Sequence, residues 1–457
     1  MRQLFGTNGI RGIVNETIDC LFALNIGMAY GSFKKGKIAV GRDSRISGLM
    51  LKDSFISGLL SAGCEVIDTD IVPTPAIQYY IKDNPSVKGG GVITASHNPP
   101  EYNGIKVIAE DGTEASMDEE RKIEEVYFEK KFNKANWRDT GAYSTLNIID
   151  HYVEGVKNVL DLDSIKCKDL KIVLDAANGP GSLSSPIFLK DLGIRYVGIN
   201  TNIDGTFPGR NPEPTEENLE MMQKFIKNGR FDLGVAHDGD ADRSVFFDEK
   251  GRFIDGDIIL SIVAKYILEE RGEGTVVTTV ATSSSLKDVV EEYGGRVIET
   301  PVGSIYVART MMETGAIFGG EGNGGLIFAE HQYCRDGLAA LGKIIKIMVN
   351  ENKSLSELVD EIPRYHIFKD KMAVKSIDDR KDIIEMIKKT YSSDERAQTE
   401  NDGIKIYYGE KDWILIRESG TEPILRIYAE AKNEKRAKDL LDYGKKLIKN
   451  GIKNNYV

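Results

Sequence analysis

The sequence has few of the features that mark secreted, membrane or metal-thiolate proteins. Its 457 residues include only four cysteines, and no two of them have the spacing of a metal or redox motif (Cys20, Cys64, Cys167 and Cys334). Buried free thiols in a reducing cytosol are the simplest interpretation. The apolar runs are strand-sized, far below the ~20 residues of a membrane span. The opening "MRQLFGTNGIRG" has no apolar core of signal-peptide length, so we expect a cytoplasmic protein without a membrane partner.

Blocks of positive charge are also missing. The formal net charge is -11, and no Lys/Arg-rich stretch with interleaved aromatics is present, which argues against a nucleic-acid partner. If the substrate is an anion, the field of the whole protein repels it, so cationic groups or a metal must be concentrated at the site. The sequence does not specify an oligomeric state.

The chain is too long for one hydrophobic core, and three of its segments share a pattern. Each has an apolar strand, a polar loop, an amphipathic helix, a glycine and another strand; they begin at "KIAVGRDSR", "KIVLDAANG" and "TVVTTVATS". This alternation is typical of βαβ units and predicts three related α/β domains with largely parallel sheets.

The last ~90 residues follow another pattern. "GIKIYYGEKDWILIRESGTEPILRIYAEA" alternates apolar and polar residues, and a charged helix closes the chain. We expect a smaller α+β domain with an antiparallel sheet. Polar stretches place the boundaries near residues 150, 252 and 366, which gives domains 1–150, 151–252, 253–365 and 366–457.

The strongest chemical signal is "AHDGDADRSVFFD". Asp238, Asp240 and Asp242 alternate, so an extended segment would point all three carboxylates the same way. Three clustered anions and an all-oxygen ligand set favour Mg²⁺. A calcium loop is disfavoured because its sixth position, which needs glycine, is Arg243, and because the flanks look like strands. An acidic surface loop remains the alternative.

"RESGTEP" has the composition of a phosphate-binding loop. Arg417, Ser419 and Thr421 surround Gly420, so a bidentate cation, two hydroxyls and exposed backbone N–H groups come together. A plain Ser-Gly turn remains the alternative.

"GVITASHNPP" presents Ser96 where a predicted strand ends, the edge at which α/β proteins place their chemistry. A Ser–His hydrolase is disfavoured, because "TASHN" is not a G-x-S-x-G elbow and adjacent residues seldom meet as nucleophile and base. A purely structural turn stays open.

Two segments resemble nucleotide-binding motifs but lack a required part of each motif. "GEGNGG", residues 320–325, precedes a predicted strand rather than a helix, and "GLAALGKI" lacks the Ser/Thr that a P-loop needs at Ile344. We therefore expect no nucleotide site at either segment.

An exposed serine, a tri-aspartate metal site and a distant phosphate loop are what phosphoryl transfer through a phosphoserine requires. The sequence resembles the α-D-phosphohexomutase family of phosphoglucomutases, phosphomannomutases and phosphoglucosamine mutases. The resemblance covers essentially the whole chain, in "FGTNGIRG", "TASHNP", "NGIK", "DGDADR", "GEGNGG" and "RESGTEP". It implies four domains around a central cleft, three α/β domains and a smaller α+β domain.

The resemblance also implies roles for individual residues. Ser96 matches the phosphoserine, and Asp238, Asp240 and Asp242 match the Mg²⁺ ligands, with Ser96 or its phosphate as a further ligand. The remaining matches are catalytic (Arg11, His97 and Lys106) or substrate-binding (Arg243, Glu321, Asn323, Arg417, Ser419, Gly420 and Thr421). The implied reaction interconverts hexose 1-phosphate and 6-phosphate through a hexose bisphosphate, with Mg²⁺ as cofactor.

The sugar is specified less well than the reaction. "FGTNGIRG" and "VGSIYV" resemble the phosphoglucosamine mutase branch. This resemblance favours glucosamine 6-phosphate as the substrate, converted to glucosamine 1-phosphate. The sugar loop departs from the "GE-x-S-G-H" of many relatives, since Asn323 and Gly325 replace its serine and histidine. That ending is similar to archaeal members, so a phosphomannomutase/phosphoglucomutase of dual specificity is the alternative. A sugar phosphatase and a non-catalytic sugar-phosphate sensor are the alternatives from other classes.

Overall fold

A computed structural model describes residues 4–6, 8–160, 165, 169–392, 394, 396–398, 402–419 and 423–455. The chain divides into two compact units, and each is considered by itself. The first comprises Met1–Ile259 and Asn323–Val359, and the second comprises Leu260–Gly322 and Asp360–Val457. Within the described residues, no helix combines the length and the apolar character needed to cross a membrane.

A six-stranded sheet opens the first unit. Its strands are β1 (Ile10–Ile13), β2 (Lys37–Arg42), β3 (Glu65–Ile71), β4 (Val87–Ile93), β5 (Tyr102–Ile108) and β6 (Tyr143–Thr145), in the spatial order β1-β5-β4-β2-β3-β6. Strand β2 pairs in parallel with β3 and β4, whereas β5 is antiparallel to β1 and β4. The helices are α1 (Cys20–Phe33), α2 (Gly48–Ser61), α3 (Thr74–Asp83), α4 (Met117–Glu129) and α5 (Ile149–Lys157).

Local sequence explains these elements. Strand β4 is almost wholly buried, as expected for a central strand covered on both faces. Helix α1 begins at a capping aspartate, since Asp19 accepts a hydrogen bond from the Phe22 N–H at 2.7 Å. Helix α4 begins with a capping box formed by Ser116 and Glu119.

The second sheet also belongs to the first unit. Its strands are β7 (Lys171–Asp175), β8 (Arg195–Ile199), β9 (Leu233–His237), β10 (Ser244–Asp248) and β11 (Phe253–Ile254), in the order β11-β10-β9-β7-β8. Helices α6 (Gly181–Asp191) and α7 (Glu220–Asn228) follow β7 and β8, and α8 spans Gly256–Arg271. Every residue of β9 and β10 is buried, and the short connection between these two strands carries the aspartates.

The third α/β segment contributes to both units. In the second unit, β12 (Thr275–Thr279) pairs in parallel with β13 (Arg296–Thr300) and β14 (Phe318–Glu321), alongside α9 (Ser284–Glu292) and α10 (Ser304–Thr314). In the first unit, β15 (Gly325–Phe328) and β16 (Gln332–Arg335) form an antiparallel pair, followed by α11 (Gly337–Glu351) and α12 (Leu355–Asp360). A strand follows "GEGNGG" and a helix covers "GLAALGKI", as the sequence predicts.

The carboxy-terminal segment is an antiparallel sheet covered by helices. The elements are β17 (His366–Ala373), α13 (Ile377–Thr390), β18 (Ala397–Gln398), β19 (Ile404–Tyr407), β20 (Trp413–Glu418), β21 (Ile424–Ala431) and α14 (Glu434–Asn455), with strand order β17-β21-β20-β19-β18. Alternate residues of β21 face a core that includes Ile383 and Ile387 of α13. Three α/β sheets and one antiparallel α+β domain confirm the predicted fold class.

Candidate active site

The three predicted aspartates converge in the loop that joins β9 to β10. Side-chain oxygens of Asp238, Asp240 and Asp242 lie within 4.8 Å of one another, and all three residues are buried. The expectation of an extended segment is wrong: Asp240 lies in a turn, and Ala241 has a φ of 59°. The carboxylates meet because the chain reverses direction between two antiparallel strands. Strands rather than EF-hand helices flank the loop, as the sequence predicts.

Ser96 follows strand β4 and faces this loop from the first sheet. Its Oγ donates a hydrogen bond to Asp238 Oδ2 at 2.9 Å, and its side chain is buried. A Cβ atom placed on Gly239 would lie only 2.3 Å from the Ser96 carbonyl oxygen, so the two loops touch where only glycine fits. Ser96 itself has a φ of 51°, a left-handed conformation that costs a non-glycine residue ~1 to 3 kcal/mol.

Lys106 and Arg335 bring positive charge to two of the aspartates. Lys106 Nζ, at the inner face of β5, donates to Asp240 Oδ2 at 2.7 Å and to Asp242 Oδ2 at 3.0 Å. Arg335, at the end of β16, donates to Asp242 Oδ2 at 2.6 Å. Burial alone would lower the pKa of Lys106, but the two carboxylates outweigh it and raise that pKa. Although burial opposes it, Arg335 and Lys106 hold the pKa of Asp242 well below its ordinary range.

Asp238 is in a different electrostatic position. Its Oδ2 accepts hydrogen bonds from Ser96 and from Arg243 Nε at 3.0 Å, and its Oδ1 accepts the Arg243 backbone N–H at 3.2 Å. Burial nevertheless raises the pKa of Asp238 to about 7, with Arg243 opposing and the neighbouring carboxylates adding to the rise. Arg243 also pairs with Glu213, at 3.1 Å from Nη1. The serine hydroxyl is thus held by a carboxyl group whose pKa is raised by burial.

His97 and Arg11 lie at the edge of this cluster. His97 Nδ1 is 3.3 Å from Ser96 Oγ, and its Nε2 is 3.3 Å from a Glu213 carboxylate oxygen. Burial and the Arg243 guanidinium lower the pKa of His97, so its imidazole is neutral at pH 7. Since the Ser96 hydroxyl donates its one proton to Asp238 at the shorter distance, His97 is a neighbour of the hydroxyl rather than its acceptor. Arg11 donates to the Asn98 side chain at 2.8 Å.

The carboxylate set fits a hard divalent cation. Oδ1 of Asp240 and Oδ1 of Asp242 are buried without a hydrogen-bond partner, whereas protein donors hold both Oδ2 atoms. Thr74, at the start of α3, donates its hydroxyl to Asp240 Oδ2 at 2.6 Å and so fixes the rotation of that carboxylate. Buried anionic oxygens without donors are costly, and oxygen-only ligands suit Mg²⁺. The triad is therefore a candidate metal site.

Several residues around the site were not singled out from the sequence. Arg335 and Thr74 donate hydrogen bonds to carboxylates of the candidate metal site, and Arg45 and Asp43 lie beneath the Ser96 loop. A signal existed for Asp43 and Arg45, since "VGRDSR" follows the carboxyl end of a parallel strand, the edge where α/β chemistry gathers. Arg335 and Thr74 come close only through tertiary packing, and no local spacing marks them.

The other predicted residues are distributed between the two units. Asn323 is in the first unit, where its Oδ1 accepts the Gly325 N–H at 3.1 Å. Glu321 is buried at the end of β14 in the second unit. There, Arg417 Nε donates to Asp402 Oδ2 at 2.6 Å, and the Ser419 carbonyl accepts a bond from Arg380. The predicted phosphate-loop residues Gly420 and Thr421 lie outside the described residues.

Comparison with family models matches nearly the full length of the chain. Models of the phosphoglucomutase/phosphomannomutase α/β/α domains I, II and III match residues 2–134, 150–251 and 255–365. The model of the phosphoglucomutase/phosphomannomutase C-terminal domain matches residues 368–443.

Two relatives and a solved structure agree with these matches. A phosphoglucomutase/phosphomannomutase of Thermococcus kodakarensis is 46% identical over 99% of this chain and 100% of its own length. A phosphoglucosamine/phosphogalactosamine mutase of Sulfurisphaera tokodaii is 40% identical over 98% of this chain and 99% of its own. The crystal structure of a phosphoglucomutase/phosphomannomutase family protein from Burkholderia thailandensis superposes with a TM-score of 0.85, at 27% identity, over 98% of this chain and 97% of that one. The chain therefore belongs to the α-D-phosphohexomutase family of isomerases.

Proposed function

We propose that this phosphohexomutase interconverts hexose 1-phosphate and hexose 6-phosphate through a phosphate carried on Ser96. The observation that carries the proposal is the buried contact of 2.9 Å between Ser96 Oγ and Asp238, inside the aspartate cluster. Phosphorylated Ser96 gives its phosphoryl group to the free hydroxyl of the substrate, so the bond between phosphorus and Oγ breaks as one to the sugar oxygen forms. The resulting hexose bisphosphate turns round, and its other phosphate returns to Ser96.

The residues around Ser96 suit this transfer. When the carrier is unphosphorylated, Asp238 Oδ2 accepts the hydrogen bond of the serine hydroxyl and so fixes the direction of that hydroxyl. Lys106, Arg243 and Arg335 each bond to one or more of the three clustered aspartates, so positive charge is already in place where an incoming phosphoryl group adds negative charge. The protein has a net charge of -11 and as a whole repels an anionic substrate, and these local cations offset that repulsion at the site.

We propose Mg²⁺ as the metal, held by Asp238, Asp240 and Asp242 with Ser96 or its phosphate. The Oδ1 atoms of Asp240 and Asp242, which are buried without a hydrogen-bond partner, support this assignment. When bound, Mg²⁺ would neutralise charge on the transferring phosphoryl group. The protein's own contribution is to orient the ligands: Thr74 and Lys106 occupy Oδ2 of Asp240, Lys106 also occupies Oδ2 of Asp242, and the Oδ1 atoms are left for the cation.

The remaining site residues are proposed to hold the rest of the substrate. Arg417 and Ser419, with Gly420 and Thr421, would bind the phosphate that is not being transferred, and Glu321 with Asn323 would contact the sugar hydroxyls. Arg417 pairs with Asp402, which keeps its buried guanidinium compensated. A bound phosphate would replace Asp402 as the anionic partner of Arg417.

Glucosamine phosphate is the proposed substrate, as the amino-terminal motif and "VGSIYV" indicate. The relative from Sulfurisphaera tokodaii, a phosphoglucosamine/phosphogalactosamine mutase, supports it. Glucose and mannose phosphates are the second candidate, which the 46% identical phosphoglucomutase/phosphomannomutase favours. Values of kcat/KM for the three hexose 1-phosphates, measured side by side on one preparation, decide between them.

Ser96→Ala tests the reaction itself. We expect the variant to lose interconversion of the 1- and 6-phosphates while its circular dichroism and melting temperature stay close to wild type, because only one hydroxyl is removed. Near-normal turnover in Ser96→Ala contradicts the phosphoserine. Release of labelled inorganic phosphate at the rate of isomerisation would instead identify a phosphatase, and binding without turnover by the wild type would identify a sensor.

A further inference from the structure

Arg45 lies directly beneath the Ser96 loop and is completely buried. It follows β2 in the segment "VGRDSR", at the carboxyl end of that parallel strand. A guanidinium has five N–H donors in a fixed planar fork. Such a group is rarely buried unless its donors are used, so the partners of Arg45 show what the residue is for.

Four of the five hydrogen bonds that the Arg45 side chain donates go to backbone carbonyls of one loop. Nη1 donates to the carbonyls of Pro99 at 2.6 Å and Tyr102 at 2.9 Å. Nη2 donates to the carbonyls of Ser96 at 2.9 Å and Asn98 at 2.6 Å. A loop of seven residues thus turns its carbonyls inward on a single planar cation, which sets the loop's curvature.

A second connection runs from Arg45 to the other side of the Ser96 backbone. Arg45 Nε donates to Asp43 Oδ2 at 3.0 Å, and the same oxygen accepts the Thr94 hydroxyl at 2.6 Å. The Thr94 oxygen in turn accepts the Ser96 N–H at 2.8 Å. Both polar groups of the Ser96 backbone are therefore held, the carbonyl by Arg45 itself and the N–H through Asp43 and Thr94.

This double hold explains how a serine stays in a left-handed conformation. A φ of 51° is unfavourable for a residue with a Cβ, and it persists only where the surroundings fix it. The left-handed backbone also sets the direction of the Cα–Cβ bond, and hence of Oγ toward Asp238 at 2.9 Å. Arg45 thus controls the position of an atom that it does not touch.

Residues of the second sheet's domain close over Arg45. The Phe207 ring lies with its centroid 5.1 Å from the guanidinium carbon, and Arg45 forms a backbone bridge with Gly205. A Cβ atom on Gly205 would lie 2.2 Å from the Ser44 carbonyl oxygen, so this approach requires glycine. The cover excludes water, which strengthens every bond that the guanidinium makes.

We propose that Arg45 is a positioning residue for phosphoryl transfer, which holds the Ser96 loop so that Oγ is aligned on Asp238. The inference rests on the proposed function of Ser96 as the phosphate carrier. It assigns to Arg45 the alignment of the carrier rather than the binding of substrate, so the loss of Arg45 changes turnover and leaves substrate affinity nearly unaltered.

The test compares two variants of the full chain that break the hold at different points. Arg45→Lys keeps a positive charge beside Asp43 but replaces the fork by a single ammonium, which cannot span four carbonyls. Thr94→Val keeps Arg45 and removes only the hydroxyl that links Asp43 to the Ser96 N–H. Arg252→Lys is the control, because Arg252 also pairs with a buried carboxylate, that of Asp248, at the opposite end of β10.

Two readouts separate positioning from a structural role. The first is kcat against KM for the hexose phosphate; the second is the single-turnover rate at which hexose 1,6-bisphosphate phosphorylates Ser96, followed by intact mass. A misplacement of ~1 Å lowers such rates about 10²-fold, so we expect that loss for Arg45→Lys and about 10-fold for Thr94→Val. KM is expected to change less than about 3-fold, because no substrate contact is removed. Arg252→Lys should match the wild type in both readouts.

Each outcome bears on the inference. Wild-type rates in folded Arg45→Lys overturn it, and so does a rise in KM that accounts for the whole loss of kcat/KM. If Arg45→Lys is unfolded by circular dichroism, Thr94→Val decides, and unchanged phosphorylation in that variant overturns the inference. A wild-type chain that acquires no phosphate on Ser96 refutes the proposed function and the inference together, whereas wild-type phosphorylation with unaffected variants refutes the inference alone.

Discussion

Gly239 offers the sharpest test of the geometry at the candidate site. Its added Cβ would lie 2.3 Å from the Ser96 carbonyl oxygen and 3.1 Å from the Pro212 side chain, so it is confined on two sides. Its φ lies outside the left-handed region, so an alanine here does not incur the strain of a positive φ. Gly239→Ala therefore changes the spacing of two loops and little else.

The size of the effect follows from the contact. Cβ atoms essentially never approach a heavy atom within 3.0 Å, so the aspartate loop and the Ser96 loop must separate by about 0.7 Å or more. Added to the 2.9 Å between Ser96 Oγ and Asp238, that shift gives about 3.6 Å, which is no longer a hydrogen bond. Misplacement on this scale lowers kcat by about 10²-fold, equivalent to about 3 kcal/mol of transition-state stabilisation.

The assay is steady-state isomerisation of a hexose 1-phosphate by Gly239→Ala, with the melting temperature measured in parallel. Gly409→Ala is the matched control, because the nearest atom to its added Cβ is 3.8 Å away, an ordinary contact. We expect a large fall in kcat only for Gly239→Ala. If that variant keeps kcat within about 3-fold of the wild type, the contact between the loops does not align the serine, and the reasoning fails.

Three further perturbations have defined outcomes. Asp240→Asn should weaken Mg²⁺ binding at least 10-fold in calorimetric titrations, because a charged ligand is lost; an unchanged dissociation constant contradicts the assigned ligand set. Gly325→Ala should displace Arg335, whose Cδ would lie 2.3 Å from the new Cβ, and lower kcat while Gly409→Ala has no effect. Burial lowers the pKa of His237 to about 4 from an ordinary 6.5, so the unfolded chain binds a proton that the folded chain resists. Stability is then lost as pH falls from 6.5 toward 4, by about 2 kcal/mol at pH 5, and urea unfolding of His237→Asn should show a smaller loss over that range.

The sequence predicted those parts of the fold that depend on local pattern. Strand–helix alternation predicted three α/β sheets, and alternation of apolar and polar residues from residue 403 onward predicted the antiparallel domain. Both follow because the period of a strand is visible in the order of its apolar and polar residues. The strand after "GEGNGG" and the helix from Gly337 followed from the same reasoning. The aspartates could be identified because all three lie within five residues.

Features of the fold and the site that depend on contacts between distant segments could not be predicted from the sequence. The turn at Asp240 replaces the expected extended segment because β9 and β10 pair in an antiparallel manner. That pairing cannot be inferred from the sequence of the loop alone. Arg335 reaches Asp242 across 93 positions, and Thr74 reaches Asp240 across 166, so no window of sequence contains either pair. The left-handed serine was missed because a tertiary hold imposes that conformation against the residue's own preference.

The positive φ of Ser96 has an evolutionary consequence. Glycine adopts this conformation without strain, so Ser96→Gly would relieve about 1 kcal/mol or more of backbone strain while removing the proposed carrier. At this position, selection for thermal stability alone would favour loss of the proposed carrier. Persistence of serine among descendants of this chain would then record selection for turnover, and replacement by glycine would mark lineages in which the catalytic role had lapsed.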